Sequence, residues 1–184
     1  MASDDRRALV AELEAYQSEY PEELAFRDRF LDLLSFNNCF TRDLLSGHIT
    51  GSAWIVNEAY THAFMTHHAK LNKWLQPGGH ADGDEQVGRV ALKEALEETG
   101  MEGLQLHSRQ IFDLDIHTIP ERKGVPEHEH FDIRYLIVTS QGTPFKISDE
   151  SNELAWMSLD DMEAATGGNK SILRMVEKTR RYQG

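Results

Sequence analysis

Glu94, Glu97 and Glu98 are related by three- and four-residue steps, so on a helix they share one face. Like charges so placed repel by about 0.2–0.5 kcal/mol per pair. A divalent cation removes that cost and turns the cluster into a site. Mg²⁺ prefers oxygen ligands in octahedral geometry and combines carboxylates with water and phosphate oxygens. Gly78 and Gly79 lie ahead of this segment, where the lack of a Cβ lets backbone approach a ligand closely. The plainer reading is a solvated acidic helix face, and spacing alone does not choose between the two.

Two further segments carry polar residues at every second position. Asp113, Asp115 and His117 share one strand face, opposite Phe112, Leu114 and Ile116. His128, His130, Asp132 and Arg134 share another, opposite Phe131, Ile133 and Tyr135. One reading is two half-exposed strands with a solvated face and a few ion pairs. The other is a polar pocket wall in which His130 or Arg134 meets a substrate anion, Arg134 offering a planar fork for phosphate. Nine histidines also raise a zinc reading, with His67, His68, His80, His117, His128 and His130 as ligands. No cysteine pair and no H-E-x-x-H spacing supports it. Trp74 and Gln76 lead into the glycine pair and are read either as pocket lining or, for Trp74, as core.

These groups need elements to hold them. A helix is expected over residues 84–99, stopped by Gly100. Strands are expected at residues 50–56, 63–68, 130–139 and 154–157, the first two as a hairpin, with one long or two short strands over 104–119. The strand region around Trp74 and Leu75 is expected to end at Pro77-Gly78-Gly79. Ser158 resembles the start of a capping box before a short helix, and a last helix carries Ile172, Met175 and Val176. The first ~46 residues read as two helices, the second opened by Pro21 with Glu22 and Glu23 suiting its dipole. This hairpin is either laid on the main domain or a homodimer surface. Strands mixed with helices imply a sheet packed between helices.

The bulk properties set bounds. A chain of 184 residues suits one domain with an appendage. A net charge of −12 argues against a nucleic-acid partner, and a polyanionic small molecule would need local cations or metal. The single cysteine, Cys39, makes no internal disulfide, which fits a reducing cytoplasm. The start, Met1-Ala2-Ser3-Asp4-Asp5, lacks a signal-peptide pattern, and no apolar run approaches the roughly 20 residues of a membrane span.

Residues 79–101 resemble the catalytic box of the Nudix family, G-x5-E-x7-R-E-U-x-E-E-x-G-U with U bulky and apolar. Gly79, Glu85, Glu94, Glu97, Glu98, Gly100 and Met101 fall in register. Lys93 stands where the family has Arg and keeps the charge without the planar fork. Ala95 stands where a bulky residue is usual. The resemblance implies a Nudix-like α/β/α sandwich with mixed sheet over residues 47–184, preceded by the helical hairpin of 1–46. It implies Mg²⁺ or Mn²⁺ held by Glu94, Glu97 and Glu98, one of them the general base, with Glu85 and Lys93 in support. A further glutamate is expected from the loop ahead of Trp156, Glu150 first and Glu153 second. Gly78, Gly79 and His80, with His130 and Arg134, are the substrate-binding candidates. The implied reaction is hydrolysis of the pyrophosphate linkage in a nucleoside diphosphate joined to a group X, in the cytoplasm and without a redox cofactor.

Two rivals remain. Trp74-Leu75-Gln76-Pro77-Gly78-Gly79-His80 also resembles isopentenyl diphosphate isomerase, a relative on the same fold, but Gly78 occupies the position of its catalytic cysteine. A non-catalytic nucleotide-sensing module could dispense with the carboxylates that this chain retains.

Overall fold

The computed structural model describes residues 2–69, 71–122, 124–147 and 151–183. Two helices, α1 (Asp4–Ala15) and α2 (Pro21–Leu33), precede the strands β1 (Gly47–Asn57), β2 (His62–His68), β3 (Lys73–Leu75) and β4 (Gly78–His80). Helix α3 (Val87–Thr99) follows, then β5 (Asp113–Ile119), β6 (His128–Thr139) and β7 (Ser151–Ser158), and last α4 (Met162–Thr166) and α5 (Lys170–Arg180).

The sheet runs β3-β2-β1-β6-β5, with β4 paired to β1 and β7 to β2. It is mixed: β1 and β6 run parallel while the other pairs are antiparallel. All of β1 is buried, as a strand covered on both faces must be. Its odd positions Ile49, Gly51, Ala53 and Ile55 face α3. Its even positions His48, Thr50, Ser52, Trp54 and Val56 face the side covered by α4 and α5.

Helices α1 and α2 share the α3 side. Leu9, Leu13, Phe30 and Leu33 pack with Ile49, Val87, Val90, Phe131 and Tyr135 in one apolar cluster. The hairpin therefore contributes to the same core as the sheet. Across the sheet, Trp54, Met65 and Leu136 pack against Met162, Ile172, Met175 and Val176. This is the α/β/α layering expected from the sequence.

Helix α3 buries Val87, Val90, Ala91, Ala95 and Thr99, one stripe at helical spacing. It stops at Gly100, whose φ of 63° is left-handed and whose N–H reaches the Leu96 carbonyl at 2.9 Å. The stripe lies close on the sheet. A Cβ on Gly51 would come within 2.9 Å of the Val87 carbonyl oxygen. Ala95 packs with Ala53, Ile55 and Phe64, which explains its small size.

Several boundaries differ from the sequence expectation. Helix α3 starts at Val87 because Asp84 engages Arg89 and the Gln86 N–H instead. Residues 104–119 yield only β5 and one bridge, Leu106 to Ile137. Gly78–His80 forms a strand on β1 where a strand end was expected. Ser158 makes a turn, accepting from Asp160 and Asp161, and Asp161 precedes α4 without a side-chain cap bond. No helix among the described residues is long and apolar enough to cross a membrane.

Gly51→Ala reports the closeness of α3 directly. In open space the substitution would stabilise by about 0.4–1 kcal/mol through the unfolded chain. Against the Val87 backbone it should instead destabilise by about 1–3 kcal/mol. A fall in melting temperature is the expected result, and a rise would place α3 farther from β1.

Candidate active site and the polar face behind it

The Nudix-like segment brings its glutamates against β4. Antiparallel pairing sets Gly79 opposite Gly51, on the α3 side, and Gly78 and His80 opposite Ser52 and Thr50, on the other. A Cβ on Gly79 would lie 2.5 Å from the Glu94 carboxylate, so only glycine leaves that side chain its place. Glu98 accepts the Gly78 N–H at 2.8 Å. Glu97 is exposed one turn from Glu94, and Lys93 lies 3.7 Å from Glu94 and 3.5 Å from Glu97. Lys93 thus pairs with the neighbouring glutamates as a point charge. Glu85 is held elsewhere. Arg6, buried on α1, donates to one Glu85 oxygen at 2.7 and 3.1 Å and to the carbonyls of Phe36 and Asn37. The donors on this face are carboxylate oxygens, the chemistry that a hard divalent cation selects.

The polar positions of β5 and β6 form rows on the opposite face. Ser52, Arg134 and Asp113 make one row, Thr50, Asp132 and Asp115 the next, and His48, His130 and His117 the third. Helix α5 and the sheet bury most of this face, so the expected open wall is a packed interior. Arg134 is 3% exposed. Its guanidinium donates to Asp132 at 2.8 Å, Asp113 at 3.1 Å, Asp115 at 3.1 Å and the Ser171 hydroxyl at 2.6 Å. The expectation of an anion-facing Arg134 gives way to the ion-pair reading. Burial alone would raise the Asp115 carboxyl, but Arg134, His117 and Arg174 outweigh it and hold it at about 2. Asp113 is lowered in the same way against its burial, by Arg174, Arg134 and Lys178.

Helix α5 and α2 complete the network. Arg174 donates to both Asp113 oxygens and to the Leu114 carbonyl, and it pairs with Glu22. Glu23 is fully buried. It accepts from the Tyr16 hydroxyl at 2.7 Å, Lys178 at 2.6 Å and the Leu114 N–H at 3.0 Å, which satisfies an edge donor of β5.

The third row gathers imidazoles from four strands. His48 lies 5.1 Å, centroid to centroid, from each of His80, His128 and His130. His130 lies 4.8 Å from His80 and 5.5 Å from His117. Burial, then Arg42 and His48, lowers His80 to about 4, and burial with the surrounding histidines lowers His130 to about 2. Among the described residues, neither His48 nitrogen finds a hydrogen-bond partner, and the His130 Nε2 finds none either. The Leu44 carbonyl is near enough to His48 to favour its charged form, yet outside hydrogen-bond geometry, and burial still lowers the ring below its ordinary value. A buried polar atom left so costs about 1–3 kcal/mol.

Of the sequence candidates, Gly78, Gly79, Glu94, Glu97, Glu98 and Lys93 come together. His80 and His130 meet on the far side of the sheet, Arg134 is enclosed, and Glu150 lies outside the described residues. Leu154 and Trp156 pack toward Ala95 and Met101, so alternation turns Glu153 to the face away from α3. Sequence reading missed Arg6, His48, Glu23, Arg174 and Lys178. His48 had a signal, since His48, Thr50 and Ser52 continue a period-two polar pattern; the others pair across long separations. Two cavities, of about 600 and 430 Å³, are lined by residues such as Tyr16, Phe112 and Tyr182, and Glu12, Glu85 and Tyr135. Neither touches Glu94, Glu97 or Glu98, and the chemistry of the carboxylates outweighs cavity size in locating the site.

Arg134→Ala should leave the buried Asp132 without its cationic partner and weaken the support of Asp113 and Asp115, which keep Arg174. The expected cost is about 3–5 kcal/mol of stability, seen as a lower melting temperature, with KM little changed. A raised KM at unchanged melting temperature would return Arg134 to the substrate.

Comparison with known proteins agrees with this geometry. The NUDIX domain model matches residues 47–178. A C. elegans Ap4A hydrolase binary complex superposes with a TM-score of 0.58 at 18% identity, covering 73% of this chain and 96% of its own. The MutT protein of Methanosarcina mazei Go1 gives a TM-score of 0.58 at 20% identity, covering 74% and 94%. The NUDIX domain of Shewanella oneidensis NrtR, complexed with ADP ribose, gives 0.51 at 16%, covering 74% and 88%. At these identities the structures speak for the fold alone. No curated protein matches the chain in sequence. The domain match spans most of the chain and contains the acidic face of α3 and its glycine strand, and the chain belongs to the Nudix family of hydrolases.

Proposed function

We propose that Glu94, Glu97 and Glu98 hold Mg²⁺ or Mn²⁺ and form the hydrolytic centre of this Nudix pyrophosphohydrolase. The family cleaves pyrophosphate linkages in nucleoside diphosphate derivatives, and the substrate here is a nucleoside diphosphate joined to a group X. The observation that carries the reading is the contact of the Glu94 carboxylate with Gly79, where a Cβ would lie 2.5 Å away. It sets a carboxylate beside open backbone on the face that carries Glu97 and Glu98.

When bound, the cation supplies positive charge against phosphate oxygens and makes water more acidic. The chain's own residues do the rest. Glu98 holds the Gly78 N–H and so fixes the glycine strand against α3. One glutamate of the three takes the proton from the attacking water. Lys93 limits repulsion between Glu94 and Glu97, and the Arg6–Glu85 pair anchors the approach to α3. Gly78 argues against isomerase chemistry. A Cβ there would lie 2.7 Å from the Ser52 Cβ, so a cysteine has no room.

The deciding experiment is product release from a panel that includes nucleoside triphosphates, dinucleoside polyphosphates such as Ap4A, ADP-ribose and nucleotide sugars. Hydrolysis of at least one member should need Mg²⁺ or Mn²⁺ and stop in excess chelator. Glu98→Gln and Glu97→Gln should each lower kcat by about 100-fold or more while melting as the wild type does without metal. Full turnover in chelator, or unchanged kcat in both variants, contradicts the proposal.

Glu150 is proposed as the loop-borne ligand, since Glu153 faces away from α3. Glu150→Gln should raise the Mg²⁺ concentration that gives half-maximal rate, and Glu153→Gln should leave it unchanged. The reverse pattern would move the ligand to Glu153.

A further inference from the structure

We propose that His48, His128 and His130 bind a divalent transition metal of borderline softness, with Zn²⁺ as the type, at a site separate from the acidic face of α3. One ring nitrogen from each of the three lies within 4.8 Å of the others. The sheet imposes this gathering. Parallel register sets His48 of β1 beside His130 of β6, and His128 lies two residues earlier on the same face of β6.

Three features mark the cluster as a site rather than a stack of satisfied rings. His48 is 4% exposed, and among the described residues neither of its nitrogens has a hydrogen-bond partner; the His130 Nε2 is buried and has none there either. Two rings of the cluster therefore hold buried nitrogens that no hydrogen bond among the described residues satisfies. His128 has the opposite and complementary arrangement. Its Nδ1 is 2.8 Å from the Pro126 carbonyl. A carbonyl only accepts, so Nδ1 carries the proton and Nε2 is left as a lone pair, the arrangement in which a ligating histidine is held by its outer partner. Finally, the set is purely imidazole. Imidazole nitrogen suits Zn²⁺, Co²⁺ and Ni²⁺, whereas Mg²⁺ and Ca²⁺ select oxygen.

The site stands apart from the hydrolytic centre. Alternation on β1 puts His48 on the face away from α3, and on β4 it puts His80 there too, while Gly79 touches Glu94 on the other. Three nitrogens at Zn–N distances of about 2.0–2.1 Å leave one tetrahedral position. His80 lies beside the cluster, its ring 5.1 Å from His48 and 4.8 Å from His130. A cation here would tie β1, β6 and, through His80, the glycine strand β4. The sequence alone did not disclose this set, because the residues follow no zinc spacing and meet only through the β1–β6 pairing.

The test uses the untagged full chain, stripped with chelator and dialysed against Co²⁺ or Zn²⁺ in millimolar Mg²⁺. One Co²⁺ per chain with visible d–d bands of tetrahedral intensity is expected, displaced by Zn²⁺, together with a raised melting temperature. His48→Ala and His128→Ala should each weaken binding by at least about tenfold, the smallest effect expected when a ligand rather than its outer partner is lost. His67→Ala, outside the cluster, and the Glu94→Gln/Glu97→Gln/Glu98→Gln triple variant should bind as the wild type does. His128 is only half-buried, so its variant keeps the test open if His48→Ala unfolds. Absence of Co²⁺ binding, wild-type affinity in both histidine variants, or loss in the triple glutamate variant overturns the proposal.

Discussion

Everything at the candidate active site depends on how closely α3 lies on β1 and β4. Gly51 and Gly79 face each other across those strands; a Cβ on the first would meet the α3 backbone, and one on the second would displace the Glu94 carboxylate. The first lets the helix backbone settle against the central strand. The second lets the Glu94 carboxylate settle against the glycine strand. Ala95 follows from the same constraint, since a bulky side chain there would lift the helix from Ala53 and Ile55. The N-terminal helices join in through Arg6, which pairs with Glu85 and is itself braced by two carbonyls of the following turn. In the family pattern an arginine sits at the position of Lys93. Here Lys93 lies by Glu94 and Glu97, and Arg6 brings a buried guanidinium from α1 to Glu85.

The opposite face of the sheet obeys a different rule. Charges enter the interior there only in company: Arg134, Arg174 and Lys178 meet Asp113, Asp115, Asp132, Glu22 and Glu23. Burying such groups is costly unless each is paired and hydrogen-bonded. The network fastens α5 and α2 to β5, the edge strand paired to β6 on its other side. It also engages Arg134, Arg174 and Lys178 with carboxylates, which withdraws them from any polyanionic substrate. Arg42, Arg89 and Lys93 remain near the acidic segment, and their partners Asp82, Asp84, Glu94 and Glu97 form exposed or half-exposed pairs. Exposed pairs of this kind are weak, so a phosphate can compete for such cations.

The acidic face was legible in the sequence because its logic is local. Three glutamates on one helix turn, a glycine pair ahead and Gly100 behind fix both the helix and its chemical face. The period-two patterns of β5 and β6 were equally legible as faces. What alternation does not encode is whether a face meets water or another layer. The answer lay in Arg174 and Lys178 on α5, 61 and 65 residues from Asp113, among positions noticed only for their apolar stripe. Arg6 and Glu85 are 79 residues apart. His48 joins His130 only through a parallel pairing of distant strands, which no local pattern announces. Glu22 and Glu23 illustrate the same limit: they suit the α2 dipole, as read, but their burial and partners come from β5 and α5.

The central claim is that the acidic face of α3 is a divalent-cation site. Mn²⁺ binding followed by electron paramagnetic resonance tests it most directly, because Mn²⁺ favours oxygen donors. The account predicts that the wild type binds Mn²⁺ and that a Glu94→Gln/Glu98→Gln variant, equally folded, loses that binding. Equal Mn²⁺ affinity in the two proteins would contradict it.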